Sequence, residues 1–392
     1  MGWFETLAVW KTRLGLRMTQ VLAIGVGAAA ITHTLVSAAV WKAAGAKVAG
    51  AYFVVGVAAA AWKLSQWPGY STPALPSLTR AAGSGGATVR VVALTDTHNR
   101  LTPAAAKALP DADVFVHCGD FTVDGSVAEV RRFNEWLGHV PTAHRVVIAG
   151  NHDLVCDPAS YDANRALLFG KCKKRHSAHG TDEVVGSDEE ETGLLRGAAK
   201  DKRLTHDEVR RLLSNATVYL VNESAAIAVD TDAAAATDGA KPQGRRTLRV
   251  HGSPTTVQIP GSPMNAFGTP DTSQGPVWAK VPPNTDLLLT HGPPFDVLDL
   301  TFFGRKVGSH SLAARLAELG EAAPAVHVFG HIHEGRGVRL GAVLKAAGGA
   351  SRRVPTTFIN ACSVNMFYRL RSGDARHGTG AGILFDVPLR SP

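Results

Sequence analysis

Five stretches of the chain share one shape: a short run of apolar, largely β-branched residues that stops abruptly at carboxylate, carboxamide or imidazole side chains. "RVVALTDTH" ends on Asp96 and His98, and "DVFVHCGD" on Asp120. "VVIAGNHDL" ends on Asn151, His152 and Asp153, "DLLLTHGPP" on His291, and "VHVFGHIH" on His331 and His333. Continuous apolar runs of this length predict strands buried on both faces, as in sheets covered by helices. Between them the apolar spacing becomes helical. "SVAEVRRFNEWLG" opens with a capping box, Ser126 and Glu129, and continues with Val130, Phe133, Trp136 and Leu137 on one face. "THDEVRRLL" repeats the box with Thr205 and Glu208, and "SLAARLAEL" aligns Leu312, Leu316 and Leu319. Alternating strand and helix patterns predict an α/β fold. In such folds ligands bind at the carboxyl ends of the strands, so the polar endings are expected to gather on one rim.

The chemistry of those endings is specific. Asp96, His98, Asp120, Asn151, His291, His331 and His333 form an oxygen and nitrogen donor set without a thiolate, suited to Mn, Fe, Zn or Mg rather than to a structural zinc knot. Seven donors exceed one tetrahedral ion and suit two ions that share a bridging carboxylate, an arrangement used for in-line attack on phosphoryl groups. Gly119, Gly150, Gly292 and Gly330 flank these positions and allow sharp turns. His117 and His327 lie inside strands, where alternation aims them away from the rim as packing or supporting groups. His251 in "VHGSP" either faces the pocket or occupies a turn. Arg336 in "HIHEGRG" is a candidate phosphate contact, because a guanidinium matches phosphate oxygens bidentately.

In this order, D-x-H, G-D, G-N-H-D, H-G and G-H-x-H, the motifs resemble those of the calcineurin-like metallophosphoesterases. "HCGDFT", "RRFNEWLG", "VIAGNHD", "LLTHGPP", "VHVFGHIHEG" and "INA" are similar to the branch of metallophosphoesterase-domain-containing small phosphodiesterases, over roughly residues 88–388. The resemblance implies a four-layer α/β/β/α sandwich. It implies that Asp96, His98, Asp120 and His333 hold one divalent ion, manganese first among the choices, and that Asp120, Asn151, His291 and His331 hold the other. Asp120 would bridge them, and the nucleophile would be a hydroxide bound between the ions. His152 would donate a proton to the leaving oxygen or stabilise charge on the phosphoryl group, and Asp153 would orient His152. The neutral Asn151 amide would ligate without repelling an anionic substrate. The implied activity is hydrolysis of a small phosphodiester. A phosphomonoesterase, a lipid pyrophosphatase and a non-catalytic metal-binding scaffold of the same fold are the alternatives.

Charge narrows the partners. The chain carries a net +8, but residues 1–95 hold eight Lys or Arg against Glu5 alone, which leaves the remainder near neutral. No extended nucleic-acid surface is indicated. Met18–Trp41 is a run of 24 residues without a formal charge, about 36 Å as a helix and enough to span a bilayer. Val48–Trp62 is a second uncharged run of 15 residues. Residues 1–64 are therefore expected to be a transmembrane helical anchor of one or two helices, residues 65–87 a Pro-, Ser- and Gly-rich linker, and residues 88–390 the catalytic domain. Lys11, Arg13 and Arg17 hold the amino terminus in the cytosol. Two spans return the catalytic domain there, and one span places it in a lumen. Cys118, Cys156, Cys172 and Cys362 show neither zinc-knot nor disulfide spacing and fit a reducing compartment. Three insertions, "RHSAHGTDEVVGSDEEETG", "DTDAAAATDGAKPQGRR" and "GAVLKAAGGASRRV", are expected to be disordered, solvated loops.

Overall fold

All five apolar runs form strands, and two sheets result. The structure, a computed structural model, describes residues 78, 88–167, 201, 203–230, 245–302, 304–364 and 382–390. The five-stranded sheet contains β1 (Thr88–Leu94), β2 (Val114–Cys118), β3 (His144–Ile148), β4 (Val218–Tyr219) and β13 (Ile383–Pro388), in the order β13-β1-β2-β3-β4. The six-stranded sheet contains β5 (Glu223–Asp230), β6 (Arg245–Ser253), β9 (Leu287–Thr290), β10 (Val326–Phe329), β11 (Gly337–Lys345) and β12 (Ser351–Asn360), in the order β11-β12-β10-β9-β6-β5. Strands β1 to β4 are mutually parallel, as are β6, β9, β10 and β12, while β13, β5 and β11 pair antiparallel at the edges. The short pair β7 (Thr256–Val257) and β8 (Gly268–Thr269) lies outside both sheets.

Strand alternation sorts the core into three apolar clusters. Val91, Ala93, Val116, Ile148, Val250, Leu289, Val328 and Ile359 pack between the sheets. On the outer face of the five-stranded sheet, Phe115, Val147 and Leu94 meet the inward face of α2 (Val127–Leu137), which follows α1 (Pro103–Lys107) and precedes α3 (His206–Leu212). On the outer face of the other sheet, Leu288, Phe329 and Phe358 meet α4 (Gly275–Trp278) and α5 (His310–Leu319). The result is a mixed sandwich of helices, sheet, sheet and helices. Both capping boxes form as expected, with Ser126 and Glu129 opening α2 and Thr205 and Glu208 opening α3. Phe133 and Trp136 are nearly fully buried, and truncating either to Ala is expected to cost about 3–5 kcal/mol.

One expectation is corrected. "GAVLKAAGGASRRV" is not a loop but the hairpin joining β11 to β12, since Ala342, Leu344 and Val354 alternate inward beneath α5. The glycines that suggested a loop serve its turn and its bulge, with Gly349 and Gly341 at φ 81° and 69°. The acid-rich insertion at 175–193 and residues 231–244 of the next insertion lie outside the described residues. So do Met18–Trp41 and Val48–Trp62, and among the described residues no helix is long and apolar enough to cross a membrane. Within the expected linker, Leu78 bridges to Phe385 of β13 and packs against the inter-sheet core.

Candidate metal centre

Carboxyl ends of strands from both sheets converge where an isolated bridge, Thr95 to Cys362, joins one sheet to the other. All seven donors expected from the sequence are at this rim. Four of them, Asp96, His98, Asp120 and His331, adopt positive φ values of 55°, 44°, 55° and 67°. Left-handed backbone in non-glycine residues costs about 1–3 kcal/mol each and persists only where surrounding contacts impose it. Here it hooks each chain inward past the end of its strand. Two glycines are required by close approach: a Cβ on Gly150 would lie 2.3 Å from Asp120 Oδ1, and one on Gly330 2.0 Å from Asp96 Oδ2.

Three groups of donor atoms each fall within 4.8 Å of one another: Asp96, His98 and His333; Asp120, His291 and His331; and His98, Asp120 and His152. Asp120 links the first two regions, because its Oδ1 lies 3.3 Å from His291 Nε2 and its Oδ2 3.9 Å from His98 Nε2. His333 Nε2 is 3.3 Å from Asp96 Oδ1 and 3.4 Å from His98 Nε2. Backbone carbonyls fix two of the imidazoles. His98 Nδ1–H donates to Thr122 O (3.0 Å) and His291 Nδ1–H to Cys118 O (2.8 Å), so both present Nε2 to the cluster. Asn151 donates its amide N–H to Met264 O (3.0 Å), which turns Oδ1 toward His291 Nε2 at 2.9 Å. These nitrogen and oxygen lone pairs, buried and facing one another, suit cations between them.

Protonation follows the same logic. Burial alone would raise the Asp96 carboxyl, but the His333 hydrogen bond and the His291 and His333 charges hold it below the ordinary carboxylate range. Asp120 is likewise raised by burial and lowered further by the charge of His291 and then of His152. Burial, then the neighbouring charges of His152 and His291 respectively, pushes His98 and His331 down to about 3. Burial also lowers His291, but Asp120 beside it more than offsets this and brings it to about 9. Burial lowers His333 too, but its hydrogen bond to Asp96 more than offsets this and raises it. The resting cluster therefore contains ionised carboxylates and neutral imidazoles at His98 and His331, with a proton on His291 that a cation would displace.

The two candidate catalytic residues separate in role. His152 Nδ1–H donates to Val123 O (2.7 Å), and its ring packs edge-on against His98 with centroids 4.7 Å apart. Asp153 does not orient that ring, which corrects the expectation from the sequence. Its carboxylate accepts from the backbone N–H groups of Asp120 (2.9 Å), Gly150 (2.7 Å) and Thr122 (2.9 Å), and from the Thr122 hydroxyl (2.7 Å). Burial and then the Asp120 charge push Asp153 upward, and these donors oppose that shift. Asp153 is a brace that holds two strand ends together.

The two candidate substrate contacts differ in placement. Arg336 is buried and donates through Nη1 to Cys362 O (2.7 Å), while Cys362 Sγ lies 3.1 Å from Asp96 Oδ2. His251 belongs to β6 rather than a turn, pairs through Nδ1 with Ser224 Oγ (2.8 Å), and shares a face with Leu288 under the outer helices. It is outside the three donor groups. His117 and His327 are supports as expected: His117 Nε2 bonds Thr97 Oγ1 (3.0 Å) and His327 Nε2 bonds Thr290 Oγ1 (2.7 Å). Cys118, Cys156 and Cys362 are buried thiols outside any disulfide. The sequence pattern missed Thr122 and the Val123 carbonyl, which carry no side-chain signature, and saw Glu129 only as a helix cap. Glu129 also accepts from Asn99 Nδ2 (2.7 Å) and Val123 N–H (2.9 Å).

Comparison with known proteins agrees with this geometry. The sequence model described as "Calcineurin-like phosphoesterase" matches residues 89–335. The chain is 30% identical over 279 residues to Metallophosphoesterase domain-containing protein 1 of Homo sapiens, covering 70% of this chain and 67% of that protein. It is 29% identical over 303 residues to a UPF0046 protein of Caenorhabditis elegans, covering 77% and 82% of the two chains. A 34% identical match over 249 residues to a "Probable rhamnogalacturonate lyase C" of Emericella nidulans covers 64% of this chain but 17% of that protein. With the family matched across most of the length and the donors converging on one rim, this chain belongs to the calcineurin-like phosphoesterase family.

Proposed function

We propose that the protein hydrolyses small phosphodiesters at two divalent cations held by Asp96, His98, Asp120, Asn151, His291, His331 and His333. The observation that carries this is Asp120, whose two carboxylate oxygens address histidines of two separate donor groups. When bound, such ions supply an activated water and neutralise charge on the phosphoryl group. The protein groups do the rest. Asn151 offers a neutral oxygen, so the site adds no further anion against the substrate. His152, whose Nδ1–H donates to Val123 O and whose ring packs edge-on against His98, would deliver a proton to the leaving oxygen. Asp153 holds the ends of β2 and β3 at fixed separation, and Arg336 braces the Cys362 segment behind Asp96. The likeness to the metallophosphoesterase-domain-containing relatives favours diesters over monoesters, and manganese is the first ion to supply.

The test uses the full chain in detergent with Mn²⁺ and compares bis-p-nitrophenyl phosphate with p-nitrophenyl phosphate. Faster turnover of the diester, abolished together with metal binding in Asp120→Ala, is expected. Preference for the monoester would reassign the protein as a phosphatase. Bound metal with no turnover of either ester would reassign it as a scaffold.

A further inference from the structure

The β11–β12 hairpin has no part in the site, and its surface is unusual. Within the described residues two large apolar side chains are the most exposed of their kind, Leu340 at 70% and Val343 at 62%. Both are on β11, the edge strand of the six-stranded sheet. Register explains the exposure. Val338 packs with Ile359 into the inter-sheet core, whereas Val343, across from Arg353 farther along the hairpin, lies beyond the cover of the other sheet. Lys345 and Arg353 are exposed on the face that carries Val343, Arg339 and Arg352 are exposed on the other face of the hairpin, and residues 335–373 contain no Asp or Glu. The Arg339 guanidinium donates through Nη1 to Asp296 O (2.6 Å), which holds it along the strand.

We propose that this hairpin is a docking surface for an anionic lipid bilayer, with Leu340 and Val343 entering the headgroup layer and Lys345 and Arg353 on the same face meeting lipid phosphates. Charge complementarity selects the occupant. A second copy pairing edge to edge would set Arg339 and Lys345 against their own kind, the usual guard of an edge strand. Single-stranded nucleic acid would find no aromatic platform, because residues 337–357 contain no Phe, Tyr, Trp or His. The uncharged run Met18–Trp41 fits the same occupant, since a chain tethered to a membrane meets that surface at high local concentration. The proposal is independent of which phosphate ester is hydrolysed.

The experiment places a spin label at Val343→Cys in the full chain with Cys172→Ser, the thiols of Cys118, Cys156 and Cys362 being buried. The protein is reconstituted into vesicles of phosphatidylcholine alone or with about a third phosphatidylserine. On the anionic vesicles the label should gain access to oxygen and lose access to a water-soluble nickel chelate, and added salt should reverse both changes. Lys345→Glu with Arg353→Glu should remove the difference between vesicles, while leaving hydrolysis of a soluble diester unchanged as proof of folding. Leu340→Ser should reduce immersion without altering the salt response. Equal water exposure of the label on both vesicles would overturn the proposal. So would protection that grows with protein concentration in the absence of lipid, or protection by nucleic acid but not by anionic lipid.

Discussion

Replacing Asp153 separates bracing from proton transfer. In Asp153→Asn one carboxylate oxygen becomes an NH₂ group. The side chain is expected to turn that group toward Thr122, whose hydroxyl can rotate to accept and already has His152 O within 3.1 Å as an alternative acceptor. The retained oxygen still serves the N–H groups of Asp120 and Gly150, so one buried donor, Thr122 N–H, is left unpaired. An unpaired buried group costs about 1–3 kcal/mol, so a loss of about 2 kcal/mol is expected, read as a fall in Tm of roughly 4–8 °C. Asp153→Ala orphans three backbone N–H groups at once, and a loss of about 6 kcal/mol follows by the same reckoning. Because these donors set the positions of Asp120 and Gly150, Asp153→Asn should also weaken metal affinity by about 10–100-fold, as support residues behind metal ligands commonly do. His152 keeps its own anchor on Val123 O, so turnover of the metal-saturated variant should stay within a few-fold of the parent. The assays are thermal melting, metal titration and kcat at saturating Mn²⁺. Unchanged stability and metal affinity, with a kcat loss equal to that of His152→Asn, would refute the brace and restore Asp153 as the residue that orients His152.

Three further outcomes are expected. His152→Asn should retain both ions and lose about 10²–10⁴-fold in kcat, measured against metal content by elemental analysis; loss of an ion would make His152 a ligand, as its grouping with His98 and Asp120 permits. Gly330→Ala, whose new Cβ would fall 2.0 Å from Asp96 Oδ2, should displace Asp96 and lower bound metal from two ions toward one without unfolding the sheets. His327, lowered by burial to about 3, folds only as the neutral ring, so the unfolded state takes up a proton below its ordinary 6.5 that the folded state refuses. Stability contributed by this group is complete above pH 6.5 and lost as pH falls toward 3. Between pH 6.5 and 5 the loss is about 2 kcal/mol, and His327→Gln, which keeps an N–H for Thr290, should remove that share of the slope in urea titrations.

What the sequence reveals, and what it hides, follow from one physical distinction. Polar groups that end an apolar strand are costly to place, so their recurrence after five such runs announces the donors and the rim. Helix caps are visible for the same reason, as side-chain groups with a fixed spacing. The left-handed turns at Asp96, His98, Asp120 and His331 are not visible, because no glycine marks them and the surrounding contacts alone impose them. The β11–β12 hairpin is hidden by its composition: cations and glycines mask an alternation in which Ala342, Leu344 and Val354 face inward while Val343, Lys345 and Arg353 face out.

The role of Asp153 that the resemblance implies fails for a related reason. Successive residues at a tight turn point apart, and the partner of His152 Nδ1 is a backbone carbonyl that any residue at position 123 could supply. That carbonyl is held in place by Glu129, which accepts from Val123 N–H, Ser126 N–H and Asn99 Nδ2 through its two oxygens. The carboxylate that caps α2 therefore also fixes the loop on which His152 leans. The start of a helix and the orientation of the proposed proton donor are set by one buried side chain, so a perturbation of the helix cap must reach the site even though Glu129 touches none of the metal donors.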